Sequence, residues 1–332
     1  MVRAISYLPF PLVDPTIDQV QITEFRRARV ADPRLLAVSG ALAISLTAVF
    51  IRLADVSPAT SVFYRCLLAL PPLGLLAWFE HRRGNRITRG DAGRYVVAGV
   101  MLGVDFALWS QAIMLIGAGI STVLVNVQVV VVPLLSFLVF RTKIPVRFVC
   151  AVPVLFAGIA LTGGIGSGAA AGPDLWWGTF LALLSGVAYA VYIFIVGGRG
   201  SADTAATQVL VSTAAAGVAG SALGSWWGPI DLTPGWASFG WLAALALSAQ
   251  FVGWILLGRS LPRLAPEVGA TLLLLQPVLA VAAAIVALGE RPTALQLVGC
   301  ATVVATAWFV ASRPPTAPTR AVAADDSRAM VQ

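Results

Sequence analysis

The 332-residue chain is 58% hydrophobic and only 11% charged. Soluble domains carry about 25% charged residues, so this composition excludes an ordinary soluble globule and points to a polytopic membrane protein. The net charge of +7 is carried almost wholly by arginine, which in such a chain marks cytosolic loops and not a nucleic-acid partner.

The N-terminal segment 1–33 holds Pro9, Pro11, Pro15 and the basic run Arg26, Arg27, Arg29. It reads as a cytosolic arm without a signal-peptide pattern, so the first apolar run must act as both insertion signal and helix. Hydrophobic spans follow near 35–54, 59–79, 94–114, 118–140, 146–163, 175–196, 206–227, 237–257, 266–288 and 294–312. Each is close to the ~20 residues that cross ~30 Å of hydrocarbon. They are too long and continuous for barrel strands, so the spacing predicts an all-α integral membrane protein of ten transmembrane helices. The tail 313–332, rich in proline, alanine and aspartate, is expected to be disordered.

Cys66, Cys150 and Cys300 lie singly in apolar runs and read as small core hydrophobes. His81 is the only histidine. No metal site, cofactor or catalytic residue is expected. Arginines crowd every second loop: Arg82, Arg83, Arg86, Arg89 and Arg94 after the second span, Arg141, Lys143 and Arg147 after the fourth, Arg199 after the sixth, Arg259 and Arg263 after the eighth. That alternation predicts both termini in the cytosol.

Two stretches echo each other. Gly119 to Gln128 leads through a Val-rich span to Phe140, and Glu267 to Gln276 leads through an Ala-rich span to Leu288. A constant shift of about 148 residues lays Gln128 on Gln276 and Thr142 on Glu290. Five helices per half is an odd number, so the second half enters the membrane upside down. Inverted repeats of this kind belong to secondary transporters with a midplane site between the halves.

Further residues carry a resemblance: Ser57-Pro58 to Phe63-Tyr64-Arg65, and Leu275-Gln276-Pro277-Val278 through Leu288-Gly289-Glu290-Arg291-Pro292-Thr293 to Gly299. On these the chain resembles the EamA-domain members of the drug/metabolite transporter superfamily. The resemblance implies two EamA repeats, 34–164 and 174–312, and proton-coupled or exchange-type export of small metabolites or drugs. One departure stands out: Arg141-Thr142 replaces the Gly-Glu pair usual in the first repeat.

Polar groups at membrane depth cost energy and need a reason. Asp105 falls near the middle of the third span, as a substrate-ammonium or proton site, or as a structural partner of Arg65 or a polar anchor facing a neighbouring helix. Arg65 lies about six residues into the second span, either snorkelling outward or holding a carboxylate or phosphate in a cavity. Together the two would take both ends of a zwitterion such as an amino acid. Asn126, Gln128 and Gln276 are near mid-depth, as substrate ligands or as polar glue between helices. Ser185, Tyr189 and Tyr192 form one stripe that lines a cavity with Trp109 or packs as aromatic core. Pro71, Pro72, Pro133, Pro153 and Pro277 are expected to interrupt helices. The pairs Gly99–Gly103 and Gly220–Gly224 indicate close helix packing, and Glu290 a pair with Arg291, a gate or a cap.

The expected function is export of small metabolites, amino-acid-like or amphipathic, across a bacterial inner membrane, coupled to protons or facilitated. The partners are then a small-molecule substrate, protons and membrane lipid, with the chain as monomer or homodimer. The alternatives are a non-transporting sensor or assembly protein, and a membrane-embedded enzyme. An enzyme needs an acid/base pair at one depth, where the sequence offers Asp105 alone.

Overall fold

The computed structural model describes residues 32–141, 146–162, 173–197, 202–264, 268 and 272–311. The basic arm, the tail, Lys143, Thr142, Arg199, Glu267 and the Gly163–Gly168 loop lie outside them, as does the side chain of Arg147. Among the described residues there is helix and no strand. Among the described residues, seven helices are by length and composition apolar enough to cross a membrane: α1 (Pro33–Ala54), α2 (Pro58–Arg82), α3 (Arg89–Ile116), α4 (Ala118–Phe140), α6 (Pro173–Val196), α7 (Ala205–Gly224) and α8 (Gly235–Ser260). Three apolar helices are shorter: α5 (Val146–Thr162), α9 (Leu275–Leu288) and α10 (Ala294–Ala311).

Local chemistry starts and stops these helices. The Asp32 side chain accepts from the Arg34 N–H ahead of Pro33, and Ser57 accepts from Thr60 N–H ahead of Pro58. Thr88 and Asp91 form a reciprocal capping box at the start of α3. Each satisfies amide donors that the first turn leaves unpaired. Three helices end on a left-handed residue: α1 on Asp55, α4 on Arg141 and α9 on Gly289.

The prolines inside α2, α4 and α5 do not interrupt their helices as expected, whereas the helical turn ahead of Pro277 is broken at Leu274, where α9 begins afresh. Pro71 and Pro72 lie inside α2, Pro133 inside α4 and Pro153 inside α5, while Pro277 sits in the first turn of α9. A missing amide in the first turn costs nothing, and neighbouring helices accommodate the others. The other irregularities lie elsewhere. α1 is broken at Leu46, α4 contains a 3-10 turn at Val125–Val127, and α8 widens to a π-helix over Leu245–Gly253. Such stretches change which side chains face inward.

Eight helices close a ring in the order α1, α8, α2, α7, α3, α6, α4, α9 and back to α1. α5 and α10 pack on each other outside α4. The pattern repeats five helices on: α3 lies between α6 and α7, and α8 between α1 and α2. The partners α2 and α7 run antiparallel, with Val62 against Gly220 and Ala59 against Gly224. α4 and α9 do the same, with Gly119 against Ala284. Small residues make these approaches possible: a Cβ on Gly103 would lie 2.6 Å from the Ala216 carbonyl oxygen. The glycine pairs are therefore packing surfaces.

Large apolar side chains cover the outside, among them Leu35, Leu138, Phe140, Val218 and Val286. In water such a continuous apolar surface would be a liability; against lipid it is the matched surface. Trp226 and Trp236 stand exposed at helix ends, as interface tryptophans do. Of the three cysteines, Cys66 and Cys300 are buried, whereas Cys150 is exposed on α5, correcting the expectation of a core position.

Candidate functional site

The ring encloses a cavity of about 70 Å³. Its wall includes Arg65 of α2, Asp105 and Trp109 of α3, Asn126 and Gln128 of α4, Tyr189 of α6 and Gln276 of α9. Seven of the residues singled out in the sequence thus meet at one place, whereas Ser185, Tyr192 and Glu290 do not line it. Two helix irregularities shape the wall: Ser45 and Thr47 flank the break at Leu46, and Asn126 lies in the 3-10 turn. Trp109, Tyr189 and Trp254 supply aromatic surface.

Arg65 does not snorkel. It is 2% exposed, and its guanidinium carbon lies 3.6 Å from the Phe106 ring centroid. That stacking suits a weakly hydrated planar cation. Its Nη2 donates to Gln250 Oε1 at 3.1 Å, and Gln250 Nε2 donates to Thr213 Oγ1 at 2.8 Å. Gln250 is fully buried on the π-helical stretch of α8 and escaped the sequence reading. A lone amide within an apolar run was the available signal. The Nε and Nη1 groups of Arg65 are buried and have no hydrogen-bond partner.

Asp105 is 5% exposed and accepts from the Ser185 hydroxyl at 2.5 Å. Among the described residues no salt bridge joins it to Arg65. Each has a neutral hydrogen-bond partner of its own, Gln250 for Arg65 and Ser185 for Asp105. A neutral partner holds the carboxyl group in place without pairing it to a cation. Among the amides, Asn126 Nδ2 donates to the Thr122 carbonyl at 3.0 Å. Gln128 Oε1 and Trp109 Nε1 are buried without partners. Ser185 of the tyrosine stripe holds Asp105, whereas Tyr189 and Tyr192 stack with each other.

Carboxylates also fasten the two ends of the ring. Glu290, after α9, accepts from Ala118 N–H at 2.6 Å and Gly119 N–H at 3.1 Å, at the start of α4. Glu80, near the end of α2, accepts from Ala206 N–H and Thr207 N–H at 2.9 Å each, at the start of α7. A carboxylate over the first turn satisfies free amides and meets the positive end of the helix dipole. Glu290 is thus a cap, but of a distant helix, and it does not need Arg291. Glu80 was missed because it reads as one more charge in a loop-end cluster.

The cavity's polar wall inside an apolar helical ring matches what the comparisons with known proteins find. The EamA-like transporter family matches residues 34–164 and 176–312.

The chain belongs to the EamA-like transporter family.

Its members are membrane transporters of the drug/metabolite superfamily, and the double match gives this chain two EamA repeats. In the ring, the first repeat supplies α1 to α4 and the second α6 to α9, so Arg65 and Asp105 come from one repeat and Gln250 and Gln276 from the other. Glu80 and Glu290 each reach from one repeat to the other. No curated protein sequence matches. A solved structure described only as "Crystal structure of protein" is 19% identical, covering 83% of this chain and 95% of its own, with a TM-score of 0.57. That likeness concerns the fold alone.

Proposed function

We propose that the chain is a secondary transporter that exports small zwitterionic or amphipathic metabolites from a bacterial cell, exchanging them for protons or letting them run down their own gradient. In this reading all ten helices cross the inner membrane, the two five-helix repeats are inverted, and both termini are cytosolic. The arm 1–33 and the tail 313–332 flank the repeats 34–164 and 174–312.

One observation carries the reading. A cavity between the repeats holds a buried cation with two unpaired donors and a buried carboxylate on a neutral partner. A substrate carboxylate directed at Arg65 accepts a charge-assisted hydrogen bond from one of its unpaired donors, Nε or Nη1. A substrate ammonium meets Asp105. The apolar remainder lies against Trp109 and Tyr189, and Asn126, Gln128 and Gln276 complete the polar wall. Alternating exposure of such a site to the two faces gives transport.

The test is untargeted metabolomics of the medium around cells that overproduce the intact chain, the Asp105→Asn chain at equal membrane abundance, or neither. The expected result is a metabolite that accumulates outside only with the intact chain. Identical media in all three cultures would count against export and favour a non-transporting sensor.

A further inference from the structure

A second, larger cavity of about 400 Å³ lies beside the central one. It is lined by Ile193 and Val196 near the end of α6, Gln208 and Val209 near the start of α7, and Leu257 and Gly258 near the end of α8. These helix ends share one face of the molecule. Glu80 beside Arg82 reaches the start of α7, Gly258 lies against Ala205, and Phe140 before Arg141 packs on Phe194 at 5.6 Å between centroids. Arg82 ends α2, Arg141 follows α4, Arg259 lies in the last turn of α8 and Arg263 just beyond it, so these helix ends make a basic face.

In the ring order α3, α7 and α2 stand between α6 and α8, which meet through the side chains of Tyr189, Tyr192 and Trp254. A cavity that touches both is therefore inside the ring, in line with the central cavity and nearer the basic face. Trp254 lines both cavities. Tyr189 lines the central one, Tyr192 the outer one, and the three rings form a cluster between them. Tyr189 and Tyr192 are stacked at 6.0 Å, and Trp254 stands edge-on to each, at 6.2 Å and 5.5 Å.

We infer that the outer cavity is the vestibule by which substrate reaches the central site from the basic face, and that the Tyr189–Tyr192–Trp254 cluster is the septum between them. This rests on the transport reading and adds its route. The chemistry suits an amphipathic guest. The vestibule wall is mostly aliphatic and aromatic, with Gln208 as a polar side chain at its rim, so it accepts an apolar portion before the charged end meets Arg65 and Asp105. Trp254 is at once wall of the vestibule and wall of the site, so one ring movement joins the two spaces. The aromatic stripe of α6 thereby acquires a role as a positioning element, distinct from substrate contact at Tyr189.

Thiol labelling tests the route without requiring flux. Single Ile193→Cys and Ser45→Cys changes place a thiol on the vestibule and on the central cavity respectively. Vesicles with the basic face outward and vesicles of the opposite orientation are treated with a membrane-impermeant methanethiosulfonate, against the parent chain with its three native cysteines. The expected result is fast labelling of Ile193→Cys only when the basic face is outward. Labelling of Ser45→Cys is slow, and rises about tenfold on adding Trp254→Ala, from the basic face alone. Trp254→Phe, which keeps a ring, leaves it slow. Variants are compared only when they elute as a single species in detergent, with Trp254→Leu in reserve for Trp254→Ala. Labelling of Ile193→Cys at the parent's background, or from the opposite face, overturns the vestibule. A Ser45→Cys rate unaffected by loss of the Trp254 ring overturns the septum. A negative transport assay leaves these outcomes standing, and a failed labelling result leaves the transport reading standing.

Discussion

Arg141 and Gly289, about 148 residues apart, end α4 and α9 in the same left-handed backbone conformation, with φ of 55° and 67°. The shift that aligns Gln128 with Gln276 aligns this pair too. Glycine adopts the conformation freely, whereas an L-residue is strained there. A Cβ at Gly289 would meet nothing within 4 Å, so Gly289→Ala isolates the backbone term. We expect it to cost about 1 kcal/mol, read as a lower thermal midpoint in detergent. An unchanged midpoint would mean that the turn is not held in this form.

The capping carboxylates make a paired prediction. Glu290→Ala frees the amides of Ala118 and Gly119, and Glu80→Ala those of Ala206 and Thr207. Each change should cost about 1–2 kcal/mol and loosen one repeat against the other. Hydrogen exchange is the measure: protection falls at the start of α4 in the first variant and at the start of α7 in the second. Equal loss over the whole chain in both would refute separate fastenings.

Helix contact predicts contrasting glycine substitutions. Gly103→Ala drives a methyl group to 2.6 Å from the Ala216 carbonyl oxygen, whereas a Cβ on Gly74 meets nothing within 4 Å. Overpacking should cost about 1–3 kcal/mol at Gly103. Gly74→Ala, in a helix interior, should gain about 0.5–1 kcal/mol. Thermal unfolding of the two variants in one detergent checks both signs.

Arg65 should not tolerate lysine. An ammonium presents no fork and stacks less well on Phe106, and Gln250 Oε1 loses its partner. We expect Arg65→Lys to fold and to lose about tenfold or more in transport rate, since the charge remains but its two directed donors do not. Full rate in Arg65→Lys would show that charge alone is required.

The membrane class, the two repeats and the meeting of Arg65, Asp105, Trp109, Asn126, Gln128, Tyr189 and Gln276 at one cavity were legible in the sequence, because polar side chains in apolar helices turn toward one another. The irregular backbone was not. Proline pointed to breaks in α2, α4 and α5 that neighbouring helices absorb, while the break at Leu46 and the π-helix around Gln250 carry no marker residue. Glu80 and Glu290 were visible as charges, but the amides they cap lie more than 100 residues away along the chain.

The most direct test of the central claim is counterflow in proteoliposomes, using the metabolite that accumulates outside cells producing the intact chain. Uptake is expected for the intact chain and for Gly74→Ala, with a loss of at least tenfold in Asp105→Asn at equal protein content. Equal uptake by Asp105→Asn and the intact chain would contradict the assignment of this cavity as the transport site.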